Sequence, residues 1–406
     1  MRQFMSKSWV LELDAQLDRM DDQLVQFRRH LHQHPELSGE ERETSLRVYT
    51  DLGDLGFQVR LGHNGLGVLA DYQTADANVD LPRLALRADL DALPIQDQKK
   101  SDYCSRHDGV MHACGHDVHT TMVKGAIQLL KQLDEQKVLP WPIKIRGLFQ
   151  PAEETCQGAL RMIQSDALQG VAAILATHVD PMIAVGRVAL RDGVLTANCD
   201  EILVNIRGSG GHAARPHESK DPISAAAQLI NAIYLHLSRV TDSQDSVVAT
   251  IGRIQGGFNS NVIPESVDLQ GTIRTLSGRV REEAKQHVLR IAQGIAQATE
   301  TQIKVEFGVS APSVVNDPQI MGVIRQVSID LFGDGAIHEI KRPSMGSEDF
   351  AFYLEHIPGA LVRLGSTGAG GDATRLHTPQ FDVDENVIRV GVRLLVNTVV
   401  EWFRPG

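Results

Sequence analysis

The chain has 406 residues, 42% of them hydrophobic and 22% charged, which excludes a disordered or fibrous polymer and exceeds the roughly 250–300 residues at which a single core stops growing. Two domains are therefore expected. With 40 basic against 51 acidic residues the net charge is -11, and no basic block occurs, so a small molecule rather than nucleic acid or an anionic membrane is the expected partner.

No apolar targeting segment precedes Glu12 and Asp14, and no run of about 20 apolar residues follows, so the expectation is a cytoplasmic protein. Leu17, Met20, Leu24, Phe27 and Leu31, spaced three and four apart, predict an amphipathic helix that Pro35 stops. A second helix is expected over about 41–55. Strands follow at 57–61, 67–72 and 84–90, the first two joined by the hairpin signal Asn64-Gly65. Next come a helix over 117–133, a strand at 143–149, a helix over 158–163 and an apolar run at 172–176. Strands alternating with helices predict α/β architecture, a mostly parallel sheet covered on both faces.

From about residue 200 the rhythm becomes β-α-β-β-α-β, with strands at 201–207, 247–254, 267–274 and 302–307 and helices over 222–240 and 280–298. That order is the ferredoxin-like α+β unit. Asp221-Pro222 supplies an N-cap and a proline in the first helical turn. After 310 the α/β pattern resumes, with Asp317-Pro318 opening a helix, a strand at 360–364 and a helix over 385–402. The expected organisation is a discontinuous catalytic domain, 1–195 plus 310–406, with a domain of 196–309 inserted.

Cofactor loops are missing their central elements. Gly65-Leu-Gly67-Val-Leu-Ala70 fits a loose dinucleotide fingerprint, but the polar segment after it cannot form the helix that would hold a pyrophosphate. Neither a phosphate-binding G-x-x-x-x-G-K-[ST] loop nor a G-x-S-x-G elbow occurs. Four cysteines at 104, 114, 156 and 199 form no disulfide framework, whereas 16 histidines keep company with Asp, Glu and Cys.

The segment MHACGHDVHTT places Cys114 and His116 two apart just before a helix, with Asp117 and His119 close behind. Thiolate and imidazole suit zinc and similar metals; by spacing alone, a buried cysteine beside helix-capping residues is equally consistent. Glu153 and Glu154 end a strand, where open α/β sheets hold ligands. Adjacent side chains there diverge, so one could bind metal while the other faces substrate. His178 follows the apolar run, His377 lies in a loop before the last helix, and Asp89 and Asp91 share one face of a strand end. Each has a plain structural explanation alone; together they converge on one edge of one sheet.

RRHLHQHPELSGEE, LRADLDALPIQ, MHACGHDVHTTM, FQPAEET, GSGGHAARPHESKDP, GGFNSNVIP, GTIRT, MGSEDFA and LHTPQFD, in this order, closely resemble the metal-dependent amidohydrolases that include hippurate hydrolase, N-acyl-amino-acid amidohydrolases and plant auxin-conjugate hydrolases, within the aminoacylase and carboxypeptidase superfamily. The resemblance implies a zinc-peptidase-like catalytic domain with an inserted lid and dimerisation domain. It implies two divalent metal ions, zinc on ligand softness with manganese, cobalt or nickel as alternatives, held by Cys114, His116, Glu154, His178 and His377. Cys114 stands where the wider superfamily has a bridging Asp, and Asp89 where it has its first ligand His. The resemblance further implies Glu153 as general base, Asp91 as the orienting acid, His212 as donor to the oxyanion, and Asn261 and Arg274 as grips for a substrate carboxylate. The implied reaction is hydrolysis of N-acyl amino acids by a homodimer. A catalytically silent binding protein and a hydrolase of cyclic amides or carbamoyl groups are the competing expectations.

Overall fold

The computed structural model describes residues 7–368 and 374–405; residues 1–6, which begin the stretch read above for targeting character, lie outside these. In chain order the elements are α1 (Lys7–Gln33), α2 (Arg42–Asp54), β1 (Gln58–Leu61), β2 (Val68–Gln73), β3 (Arg83–Asp89), α3 (His116–Glu135), β4 (Lys144–Gln150), α4 (Gly158–Gln164), β5 (Val171–Ala184), β6 (Val188–Leu190) and β7 (Gly193–Val194). They continue with β8 (Asn198–Arg207), β9 (Gly211–His212), α5 (Pro222–Val240), β10 (Val247–Gln255), β11 (Val262–Ile263), β12 (Ser266–Thr275), α6 (Gly278–Thr299) and β13 (Gln302–Ala311). β14 (Val315–Asn316), α7 (Pro318–Phe332), β15 (Ile337–Glu339), α8 (Ala351–Leu354), β16 (Gly359–Thr367) and α9 (Asn386–Trp402) complete the chain. Among the described residues no helix is long and apolar enough to cross a membrane.

Two compact units result: Met1–Gly193 with Val315–Lys341 and Asp349–Gly406, and Val194–Val314 with Arg342–Glu348. The second unit extends beyond the expected 196–309. β13 runs on to Ala311, and the 342–348 segment is drawn in by backbone bonds from Ser344 N–H to Leu195 O (2.9 Å) and from Ala197 N–H to Gly346 O (3.0 Å).

In the first unit an eight-stranded sheet has the order β1-β2-β4-β3-β5-β16-β6-β15. Its centre, β4-β3-β5-β16, is parallel, and these strands are buried nearly continuously, as a sheet covered on both faces requires. The apolar stripe of α1 (Leu17, Met20, Leu24, Leu31), the inner face of α3 (Val118, Met122, Leu129) and α9 (Val392, Leu395, Val399) share one core with the sheet. In the second unit an antiparallel sheet of order β10-β12-β8-β13 carries α5 and α6, with Ile202, Val204, Leu229, Ile233, Leu269 and Val288 in its core. This is the ferredoxin-like arrangement. Both expected caps form: Asp221 accepts from Ile223 N–H and Asp317 from Gln319 and Ile320 N–H.

Candidate metal centre

β3 and β4 lie side by side with Asp89 opposite Gln150, so the turns after them, carrying Asp91 and the pair Glu153 and Glu154, emerge next to each other. Cys114 and His116 flank Gly115, whose φ of 86° opens α3; only glycine takes this left-handed conformation without a Cβ penalty. His178 lies inside β5 rather than at a strand end, because the strand continues past Pro181 to Ala184. His377, itself at φ 60°, donates its N–H to the Ala113 carbonyl at 2.8 Å, which ties its loop to the Cys114 turn.

Ligand-type atoms meet in the first unit in overlapping groups: His116, Glu153 and Glu154 make one, and two others share Cys114. Cys114, His116 and His178 form one and Cys114, Glu154 and His377 the other, with the ligand atoms of each group within 4.8 Å of one another. Cys114 Sγ lies 3.5 Å from His178 Nε2 and 3.4 Å from His377 Nε2, and Glu154 Oε1 lies 3.3 Å from His377 Nε2. Glu153 Oε2 is 3.9 Å from His116 Nε2.

Ring orientation follows from the partners. His178 Nδ1 donates to the Val179 carbonyl at 2.7 Å and His116 Nδ1 to the Asp91 carbonyl at 2.9 Å. A carbonyl only accepts, so each neutral ring keeps its proton on Nδ1 and turns the Nε2 lone pair toward the cluster. Asp91 supports this from behind: Oδ1 is 3.2 Å from His116 Nδ1, and Oδ2 accepts from the Ser38 hydroxyl (2.7 Å) and the Glu154 N–H (3.0 Å). Burial works against the charge on Asp91, but His116, Ser38 and the Glu154 N–H hold its pKa below the ordinary carboxylate value. Burial pushes the Cys114 thiol up to about 12 and, with His119 adding to it, drives His178 down. Burial also opposes charge on His116, yet Asp89 and Cys114 raise its pKa; contact with Glu154 raises that of His377.

The donors fit a borderline divalent cation: one thiol, three imidazoles and a carboxylate. His116 Nε2 is buried and makes no hydrogen bond, and Glu154 Oε1, also buried, has only the His377 ring nitrogen at 3.3 Å, so both keep lone pairs to offer another kind of partner.

Other residues of the same segments have structural duties. His119 sits among Asp89 and His116 at ligand-like spacing, but Nδ1 faces Asp89 Oδ1 at 2.7 Å and Nε2 accepts the Val179 N–H at 2.9 Å, so both ring nitrogens are engaged. Asp89 also takes Arg87 Nη1 at 2.6 Å. Asp117 turns away to pair with Arg28 Nε and His32 Nδ1, each at 2.8 Å. Sequence reasoning did not single out Ser38, Glu41 or Arg28; their only signal was membership of RRHLHQHPELSGEE.

The remaining candidates lie in the second unit. His212 belongs to the short strand β9, paired with β11, and not to the end of the unit's first strand. Its exposed ring accepts the Ala214 N–H on Nδ1 at 3.1 Å, which leaves the proton on Nε2. The Asn261 carbonyl accepts the Ala213 N–H at 3.0 Å, so His212 and Asn261 are brought together. Arg274, on β12, is half-buried with Nη1 donating to the Met345 carbonyl at 2.9 Å.

Residues 85–401 match the model of peptidase family M20/M25/M40. The chain belongs to this family. It is accordingly a metal-dependent hydrolase. This M20 chain is 41% identical to an N-acetyl-L-cysteine deacetylase of Bacillus subtilis over 378 residues, 92% of this chain and 86% of that one. It is 36% identical to an IAA-amino acid hydrolase of Arabidopsis thaliana over 386 residues, 94% and 87% of the two chains. A solved Bacillus subtilis structure, described as a dinuclear metal-binding peptidase of the M20 family, aligns with a TM-score of 0.79 at 33% identity, covering 94% of this chain and 98% of that one.

Proposed function

We propose that this M20 hydrolase cleaves the amide bond of N-acyl amino acids, releasing a carboxylic acid and a free amino acid. The observation that carries the reading is the pair of three-residue donor groups sharing Cys114, in a chain whose relatives include a deacetylase of N-acetyl-L-cysteine and a hydrolase of IAA-amino acids. In this reading Cys114, His116 and His178 hold one divalent ion, and Cys114, Glu154 and His377 a second. Zinc suits the thiolate and imidazoles, while manganese, cobalt and nickel satisfy the same donors. When bound, such ions supply Lewis acidity toward the amide oxygen and lower the pKa of water from about 15.7 toward 7.

The chain's own residues do the rest. Glu153 takes the proton of the attacking water and passes it to the leaving nitrogen, a transfer worth about 10²–10⁴-fold. Asp91 fixes the His116 ring. His212 donates its Nε2–H to the developing oxyanion, the tautomer set by the Ala214 N–H. Arg274 and Asn261 grip the substrate carboxylate, Arg274 with the guanidinium nitrogens not used by Met345. We assign the 196–309 region as a lid and as the homodimer contact, and the cytoplasm as the site of action.

A panel of N-acyl amino acids assayed with each metal tests the substrate class. Within it, Glu153→Gln is expected to keep metal and lose turnover, and Glu154→Ala to lose metal; exchanged phenotypes would overturn the assignment.

A further inference from the structure

We infer that Glu41 is a positioning residue for Glu153: its buried carboxylate holds the Ala152 N–H and thereby sets the turn that aims the general base. The inference rests on Glu153 being that base. Glu41 begins α2 yet makes no cap bond to its own helix. That duty falls to Glu36, whose carboxylate accepts the Glu43 and Thr44 N–H groups. Glu41 instead turns inward, fully buried, and its Oε1 accepts two backbone N–H groups at 2.8 Å each, from Gly39 in its own loop and from Ala152 across 111 residues of chain.

Ala152 is the residue before Glu153, and it stands at φ 53°, a left-handed conformation that an L-residue keeps only where its surroundings impose it. Cys156, two residues after Glu154, has the same φ of 53°. The Ala152 carbonyl is taken by Gly158 N–H at 3.0 Å and Gln157 N–H at 3.3 Å. Two positions further on, the Glu154 N–H goes to Asp91 Oδ2 at 3.0 Å. Both amides flanking Glu153 are thus fastened to buried carboxylates, one from Glu41 and one from Asp91. Asp91 already has a reason to be there, since it orients His116. Glu41 makes no hydrogen bond or ion pair to the cluster's ligand residues, and its second oxygen, Oε2, makes no hydrogen bond, so the Ala152 and Gly39 bonds are the ones its carboxylate makes to other residues. A buried carboxyl is an expensive way to hold two amides unless the place of those amides matters.

The test uses the metal-loaded full chain, an N-acyl amino acid substrate, and three variants measured beside Glu153→Gln. Glu41→Leu removes the acceptor and is expected to lower kcat about 10- to 100-fold, as a misplacement near 1 Å does, with metal stoichiometry intact and KM changed less than about threefold. Glu41→Gln keeps a carbonyl oxygen for both amides and is expected to restore kcat to within about threefold of the parent. Glu41→Asp, one methylene too short to span Gly39 and Ala152, is expected to lose kcat like the leucine variant, and it decides the matter if Glu41→Leu does not fold. Parental kcat in Glu41→Leu or Glu41→Asp, or a Glu41→Gln variant as slow as Glu41→Leu, overturns the positioning role. If Glu153→Gln itself keeps parental kcat, the assignment of the base is wrong and the Glu41 inference falls with it; a dead Glu153→Gln beside a fully active Glu41→Leu refutes the inference alone.

Discussion

Gly115→Ala is a one-atom-group change that the geometry makes severe. At φ 86° an L-residue costs about 1–2 kcal/mol, and the added Cβ would stand 2.4 Å from Val179 Cγ2. Val179 cannot give way cheaply. It is buried in β5, its N–H serves His119 and its carbonyl receives His178, so any shift of its backbone moves two of the histidines around the cluster. Overpacking of this kind costs a further ~1–3 kcal/mol, for a total of about 2–5 kcal/mol. Because Gly115 lies between Cys114 and His116, the strain falls on two donors at once, and metal affinity should drop at least about tenfold, or ~1.4 kcal/mol. Urea unfolding of the metal-free protein reads the first quantity and equilibrium dialysis against zinc the second. A variant within about 0.5 kcal/mol of the parent, with parental zinc content, would refute the reasoning.

Other perturbations separate the proposed roles. Chelation should abolish turnover, and Cys114→Ala should lower metal content more than any single histidine change because both donor groups use its sulfur; elemental analysis checks this. His212→Ala should depress kcat much more than it raises KM, whereas Arg274→Ala should chiefly raise KM for substrates with a free carboxylate, a split visible in steady-state kinetics. Burial, with the nearby Asp91 charge adding to it and the backbone N–H groups opposing it, raises Glu41 from 4.5 to about 7. The folded state therefore holds this proton more tightly than the unfolded one. Its contribution, roughly 3 kcal/mol, is fully present below about pH 4.5 and is lost as pH rises through about 7. Unfolding curves of the metal-free parent should thus fall relative to Glu41→Gln across that window, and a flat difference contradicts it.

What the sequence made legible was whatever repeats locally or caps an end. The 3–4 spacing of α1, the Asp-Pro starts of α5 and α7 and the strand-helix rhythm of both units are of this kind. β6 and β15, three residues each, are too short to show a period. β5 was longer than its apolar run because Pro181, ordinarily a strand breaker, falls where the pairing with β16 slips between Gly365 and Thr367. His119 could not be told from His116 by spacing, since both face one side of α3; only the Val179 N–H and Asp89 distinguish a fully bonded ring from one with a lone pair to offer. Glu41 and Ser38 were illegible for a related reason. In a polar loop before a helix they read as solvated residues, and their meaning depends on β3 and β4 bringing the Asp91 and Ala152 turns beside that loop.

The same contrast explains where this fold departs from its own rules. Arg87, fully buried, meets Asp89, Gln150 and Asp349, and Arg28 meets Asp117, Asp382 and Glu385; each buried guanidinium is thus paired with carboxylates, as burial demands. In the cluster, by contrast, His116 Nε2 is left with no hydrogen bond, at a cost of about 1–3 kcal/mol, and Glu154 Oε1 has only the His377 ring nitrogen at 3.3 Å. Both lie where Cys114 brings a thiol to three imidazoles. A ligand that binds only the folded chain returns that free energy by mass action, so under the proposed assignment the unsatisfied His116 nitrogen and the shared sulfur are two consequences of one requirement, cation binding.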